Sequence, residues 1–214
     1  MLDGATAMAN QPDLSLEIIA GGIVAGVDEA GRGPWAGPVV AGAVILDQKN
    51  IPNGINDSKK ISAIKRKKLY EEILQSARTG VGISTVEEID EYNILEATKL
   101  AMQRAVSMLG SDMTLVLIDG NKAPALPFPT KIVIGGDAKS LSIAAASIIA
   151  KVTRDRIMHE LGEANPEYGW EKNSGYGTKH HINALAKYGI TEHHRKSYKP
   201  IRELLERSVY NEYI

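Results

Sequence analysis

An α/β fold is expected from three features of the sequence. Two strand-like segments open the chain, apolar β-type runs then alternate with helical stripes, and one run, TLVLID, is continuously apolar up to its final Asp119. The order suggests a mixed sheet whose second half is largely parallel, since strands separated by helices are joined by crossovers. Residues 18–29 and 37–46 are rich in Ile, Val and Ala and read as strands, with AGRGPW as the turn between them. Residues 51–60, IPNGINDSKK, carry Pro, Asn-Gly and Asp-Ser and read as a loop. From Ser62 the spacing becomes helical: Ile64, Leu69, Ile73 and Leu74 form a stripe edged by Lys65, Arg66, Lys67 and Lys68. A short strand is expected at 80–86. A long helix follows over 87–109, where Ile89, Ile94, Leu95, Leu100, Met102, Val106 and Leu109 recur near helical spacing. Residues 114–119 form the strand buried on both faces, and KIVIGG another that stops just before Asp137. A helix is expected from about 140 to 161, apolar in its first half and charged in its second. Residues 1–17 lack periodicity and read as a loose lead-in. Residues 18–214 read as one domain, with a small helical part over 165–214.

Composition narrows the function classes. The chain has 214 residues, 43% hydrophobic and 24% charged, ordinary values for a globular protein with a sizeable core. It has no cysteine, which excludes disulfides and thiolate metal sites. No apolar run is long enough to span a bilayer, and the first residues lack a signal-type apolar core, so a soluble, cytoplasmic monomer without membrane contact is expected. The net charge of −1 conceals segregation. Residues 1–58 hold two basic and seven acidic side chains, whereas 59–80 hold seven basic and two acidic. All five histidines lie between 159 and 194. Such blocks fit an acidic centre flanked by basic contact surfaces. A set of solvated helix faces accounts for any single block equally well.

The stretch GVDEAGRGPWAGPVV breaks two rules of foldability at once. A buried carboxylate is costly unless paired or metal-bound, and glycine weakens an extended segment unless the backbone must approach something closely. GRGPWAG is near a dinucleotide fingerprint, but the fingerprint needs a helix behind it. Here the sequel is the β-like PVVAGAVIL. The acids are more coherent. Asp28 and Glu29, Asp119, and Asp137 end three separate expected strands, where sheet-based sites gather ligands. A single Asp at a strand end is commonly a turn cap; three strand ends together point to a site. Oxygen-only ligands suit Mg2+ or Mn2+ rather than Zn2+. Carboxylates around two such ions, about 3.5–4 Å apart, suit in-line phosphodiester hydrolysis. Because neighbouring strand residues point to opposite faces, Asp28 and Glu29 share a site only if the pleat breaks at the turn.

In order and spacing, GVDEAGRGPWAGPVVAGAVI, NDSKK, the Asp119-Gly120 pair, GGDAKSLSIAAASIIAKVTRD, SGYGTKHH and HHRKSY resemble the motifs of type 2 ribonuclease H, the ribonuclease HII family, over residues 23 to 200. Arg32 within the glycine turn, and the short N-terminus, resemble this family rather than its ribonuclease HIII sibling. The resemblance implies an RNase H-like fold, a mixed central sheet flanked by helices. It implies that Asp28, Glu29, Asp119 and Asp137 are the catalytic, metal-holding carboxylates, with Mg2+ or Mn2+ as cofactor. It further implies that Gly31, Arg32 and Gly33 contact the ribonucleotide through backbone groups, that Tyr176 stacks at the junction sugar, and that Lys59 lies near the substrate backbone. The family often carries proline where this chain has Gly177. The implied substrates are RNA–DNA hybrids and DNA duplexes containing ribonucleotides, cut on the 5′ side to leave 3′-hydroxyl and 5′-phosphate ends.

Other residues have plainer readings. Asp155, beside Arg154 and Arg156, reads as a structural ion-pair member. The pairs His180-His181 and His193-His194 read as loop or phosphate contacts rather than zinc ligands, and Trp35 and Trp170 as core or turn anchors. EEIDEY reads as a solvated, dipole-favourable helix start. Two rival functions remain: another phosphoryl-transfer enzyme on the same fold, and a non-catalytic nucleic-acid-binding module. The glycine turn with Tyr176 counts against the first and four intact carboxylates against the second.

Overall fold

The computed structural model describes residues 11–211, with side chains through residue 206. Strands β1 (Val24–Ala30), β2 (Val39–Leu46), β3 (Ala77–Ser84), β4 (Leu115–Asp119) and β5 (Thr130–Val133) form one sheet in the order β3-β2-β1-β4-β5. The first three strands pair antiparallel, while β1–β4 and β4–β5 are parallel. The expected mixed sheet with a parallel second half is therefore present.

Helices cover both faces. Helix α3 (Val86–Ser107) begins with a capping box in which Thr85 and Glu88 satisfy each other's backbone amides, and it kinks at Asn93, φ 69°. It packs on Ala25, Val27, Ala41 and Ala43. Helix α4 (Leu141–Ala164), capped by Ser140, covers the other face, where Ala144–Ala146, Ile148 and Ile149 pack with Val44 and with Leu69 and Ile73 of α2 (Ala63–Ser76). Glycines set the helix-to-sheet distance. A methyl on Gly26 would overlap the backbone of Ser142, and one on Gly82 would overlap the carbonyl of Ala101. The two long helices thus rest directly on the strands, fixing their ends relative to the ends of β1 and β4.

Two expectations at the ends of elements are corrected. The strand expected from residue 18 begins only at Val24, because residues 15–20 form helix α1 (Ser15–Ala20). Residues 1–10 of the expected loose lead-in lie outside the described residues. Residues 13–17 of it are held in place: Asp13 pairs with Ser140, and the buried Glu17 carboxylate accepts hydrogen bonds from Ser140 Oγ (2.5 Å), Ser142 N (3.0 Å) and Ser142 Oγ (2.6 Å). The apolar Ile18 and Ile19 suggested a strand, but both are exposed on that helix. Asp137 does not end a strand either. Strand β5 stops at Val133, and Asp137 lies in a 3-10 turn, Gly136–Ala138, leading into α4.

After α4 come α5 (Trp170–Asn173), α6 (Lys179–Tyr188) and α7 (Lys199–Asn211), gathered around Met158, Tyr168, Trp170, Leu185 and Ile201. No helix among the described residues is long and apolar enough to cross a membrane.

Candidate active site

The acids meet where β1 and β4 end side by side. Asp28 pairs across the sheet with Gly42, on the face covered by α4; Glu29 pairs with Ala41, on the face covered by α3. The pleat runs unbroken through Ala30, opposite Val40, so the break expected between the two acids does not occur. Asp28 and Glu29 leave the strand on opposite sides, so they meet not by a break in the pleat but around the end of the strand, where both feel the charge of Asp119. Asp119 ends β4 one position beyond the Val27–Ile118 pair, next to both. Its Oδ1 accepts a hydrogen bond from Gly136 N at 2.6 Å, which ties the turn carrying Asp137 to the strand end.

These groups share one electrostatic field. Asp28 is 6% exposed, and its carboxyl is pushed well above the usual range, first by burial and then by the charges of Glu29 and Asp119; the Glu29 amide, 2.7 Å from Oδ1, only partly offsets this. Glu29 is raised by burial and opposed by Arg32, whose Nη1 lies 3.4 Å from Oε1. Asp137 is raised by burial, then by Asp57 and Asp119. Burial alone would lower Lys59, but Asp28, Asp137, Asp57 and Asp119 more than offset it and its pKa rises. Lys59 therefore stands among the acids.

Asp57 is the acid that the sequence reading passed over. It is buried, holds the Lys59 amide at 2.9 Å and shapes the NDSKK loop, while Ser58 N donates to Ser147 Oγ of α4 at 3.2 Å. The Asp-Ser dipeptide signalled a turn; only the fold brings it to Asp137. Among the described residues, no three acids converge into a finished cation cage. The donor set nevertheless fits a hard divalent cation: it is all carboxylate, and its like charges are held together without enough positive charge to balance them.

Beside the acids stands the glycine turn. Gly31 has φ +99°, and a methyl there would overlap the Arg154 side chain; at Gly33 a methyl would sit 3.2 Å from Tyr176 Cε1. Gly31 is thus demanded by an arginine beneath it and by its backbone, while Gly33 is where the Tyr176 ring packs. The turn and Tyr176, distant in sequence, are brought together, and Tyr176 remains 51% exposed. A methyl on Gly177 would overlap the Trp35 ring, which explains glycine at this position.

The remaining motifs are structural. His181 and His194 are fully buried, with their Nε2 atoms 3.0 Å apart. Trp170 Nε1 donates to His181 Nε2 at 3.2 Å, and Thr191 N donates to His194 Nδ1 at 3.0 Å. These partners make both rings neutral tautomers: His181 Nδ1 donates to the Tyr176 carbonyl at 3.0 Å, and the Trp170 N–H and His194 Nε2–H share the single lone pair of His181 Nε2. Both rings are closed off in the core. Asp155 does pair, but with Lys151 (2.6 Å) and Arg66 (3.8 Å), not with its sequence neighbours. Arg66 also holds the carbonyls of Ser58 and Ile61 at 2.7 and 3.1 Å, so it braces the NDSKK loop, while Lys65, Lys67 and Lys68 are exposed. Asp90 in EEIDEY accepts from the amides of Lys196 and Ser197 at 2.9 and 2.8 Å, tying α3 to the segment before α7.

The chain matches the family model described as Ribonuclease HII over residues 25–201. It is 54% identical to Ribonuclease HII of Wolbachia pipientis subsp. Culex pipiens (strain wPip), with 90% of this chain and 98% of the relative aligned. It is 56% identical to Ribonuclease HII of Magnetococcus marinus, covering 91% and 95% respectively. Its fold is similar to the crystal structure of ribonuclease H2 from Pyrococcus horikoshii OT3, with TM-score 0.72 and 32% identity over 86% of this chain and 98% of that one. A mixed sheet whose β1 and β4 ends gather the acids, and a family match covering both those acids and Tyr176, lead to one conclusion: the chain belongs to the ribonuclease HII family, hydrolases of the ribonuclease H type.

Proposed function

We propose that this protein is a divalent-metal-dependent endoribonuclease that cuts the RNA strand of RNA–DNA hybrids and cuts on the 5′ side of single ribonucleotides embedded in duplex DNA. In this reading Asp28, Glu29, Asp119 and Asp137 hold Mg2+ or Mn2+. The observation that carries it is the undercompensated acid cluster at the β1 and β4 ends, beside a glycine turn and an exposed Tyr176. When bound, a divalent cation supplies charge stabilisation for phosphoryl oxygens and makes water a competent nucleophile near neutral pH.

The chain's own groups do the rest. The carboxylates repel a phosphodiester until a cation is present, which ties substrate approach to metal loading. Lys59, raised in pKa by four acids, stays cationic at any working pH and offers the substrate backbone a positive contact. Gly31, Arg32 and Gly33 present backbone to the ribose, whose 2′-hydroxyl is a small donor and acceptor that needs polar groups at close range. The Tyr176 ring, packed on Gly33, gives the next sugar a flat surface.

The test is cleavage of two duplexes, one a continuous hybrid and one DNA with a single ribonucleotide, with Mg2+, with Mn2+ and with chelator. Cleavage of both only with metal, at the 5′ side of the embedded ribonucleotide, is the expected result. Tyr176→Ala should lower kcat/KM at the embedded ribonucleotide more than on the hybrid. Equal kcat/KM values for parent and variant on both substrates would remove Tyr176 from the reading.

A further inference from the structure

Two buried arginines lie behind the glycine turn, and neither forms an ion pair among the described residues. Every donor contact found for them goes to neutral oxygen. Arg195 Nε donates to Gly37 O at 2.9 Å, Nη1 to Arg32 O at 3.0 Å and to Tyr198 Oη at 2.9 Å, and Nη2 to Gly31 O, Gly37 O and Pro38 O at 2.6, 2.8 and 3.2 Å. Arg154 Nε donates to Pro38 O at 3.0 Å, Nη1 to Ser174 O at 3.0 Å and Nη2 to Ala36 O at 3.2 Å. The Tyr198 hydroxyl also donates to Arg32 O. A buried cation without a carboxylate partner is costly, so its retention calls for a reason beyond packing.

The carbonyl directions supply one. The peptide bonds are trans, and in a planar trans peptide the C=O of one residue and the N–H of the next point in opposite directions. With Gly31 O and Arg32 O drawn inward to Arg195, the amides of Arg32 and Gly33 face away from it. Among the described residues neither amide donates to a protein acceptor. Two successive outward N–H groups form a concavity suited to an oxyanion or a hydroxyl.

We propose that Arg195, seconded by Arg154, is a positioning residue for ribose recognition: it pulls the turn's carbonyls inward and so aims the Arg32 and Gly33 amides at the ribonucleotide. This rests on the turn reading ribose, as set out above. Arg195 touches neither the acids nor Tyr176 by any hydrogen bond found, so it acts through the turn. Arg154 extends the same bracing to Ser174, two residues before Tyr176. One frame thereby sets the amide pair and the stacking ring together.

The experiment compares binding of a fluorescent DNA duplex with one ribonucleotide against the same duplex all in deoxyribose, with Ca2+ in place of Mg2+, for the parent, Arg195→Lys and Tyr198→Phe. Lysine keeps the charge but cannot fork to several carbonyls. The expected result is that Arg195→Lys folds, keeps its affinity for the all-DNA duplex, and loses the ribose-over-deoxyribose affinity ratio by about tenfold, the worth of one or two hydrogen bonds. Tyr198→Phe should lower the ratio by about threefold, since it removes the two contacts of the Tyr198 hydroxyl but leaves the bonds from Arg195 to the turn carbonyls in place. A stability defect alone would weaken both duplexes together and leave the ratio unchanged. A folded Arg195→Lys with the parental ratio overturns the proposal. If Arg195→Lys does not fold, a parental ratio in folded Tyr198→Phe overturns it instead. A parent that prefers neither duplex removes the ribose reading beneath it, and that result is visible before any variant is made.

Discussion

The acid cluster and the arginine-backed turn meet on one strand-to-loop segment, residues 28–38, and they treat buried charge in opposite ways. Asp28, Glu29 and Asp137 are crowded by like charge and burial, and their carboxyls are raised accordingly. Arg154 and Arg195 are as deeply placed, yet their guanidinium groups are spread over backbone carbonyls. Burial pulls both pKa values down, Arg154 to about 10, which still leaves it cationic near neutrality. One region holds its charges short of partners and so favours an added cation; the other satisfies its charges internally and so becomes rigid. On the proposed reading, the same segment contributes both to a cation site and to a fixed template for the substrate.

The largest expected effect comes from removing charge in the acid cluster. Asp28→Asn and Asp119→Asn should each lower kcat by orders of magnitude at saturating metal. Asp28→Asn should also raise the melting temperature measured in chelator, because it removes the buried charge and, with it, the repulsion from Glu29 and Asp119, which together lift the Asp28 pKa. Near-parental turnover, or a lower Tm in chelator, would break the contrast between the two regions.

Loss of rigidity in the turn is the next test. Gly31→Ala places a methyl against Arg154 at φ +99° and should cost about 3 kcal/mol or more in urea unfolding, combining backbone strain with overpacking. Gly135→Ala, also at positive φ but in open space, should cost only about 1 kcal/mol. Equal costs at the two positions would mean that Arg154 gives way and the turn is not held.

The histidine pair sharpens the comparison through pH. Burial, then the neighbouring His181, pushes His194 down to about 4. Its folded pKa lies below its unfolded value, so the stability it contributes is present above about 6.5 and is lost as pH falls towards 4. The raised carboxyls of Asp28 and Asp137 act with the opposite sign, since protonating them stabilises the metal-free fold as pH falls. A subtraction separates the two. Between pH 6.5 and 4 in chelator, the stability gap between parent and His194→Asn should shrink by about 3 kcal/mol. A constant gap would show that His194 does not titrate with folding.

What could be read from the chain alone follows from local physics. Apolar runs and helical stripes located the strands and the long helices, because burial and periodicity are written residue by residue. Acids at strand ends and glycines inside a strand-like stretch marked the site, because each violates a local preference. The first helix was misread, since Ile18 and Ile19 look like strand yet are exposed on a short helix anchored by Glu17. Asp137 was assigned to a strand end because KIVIGG is β-like, but two glycines end the strand early and form the turn.

The sequence by itself determined the family and the mixed-sheet fold class, and it marked four carboxylates as site candidates, since these rest on residue types at fixed spacing. Only the tertiary structure decided that Asp28 and Glu29 leave opposite faces of an unbroken strand, that Asp57 joins their field, and that His181 and His194 face each other in the core. It alone revealed that Gly31 is required by Arg154 and that Arg195 braces the turn. The physical reason is range: Arg195 reaches Gly31 across 164 residues, and Arg154 reaches Pro38 across 116. No local rule of spacing or propensity carries information over such separations, whereas folding α4 and the segment before α7 against the turn brings those atoms within hydrogen-bonding distance.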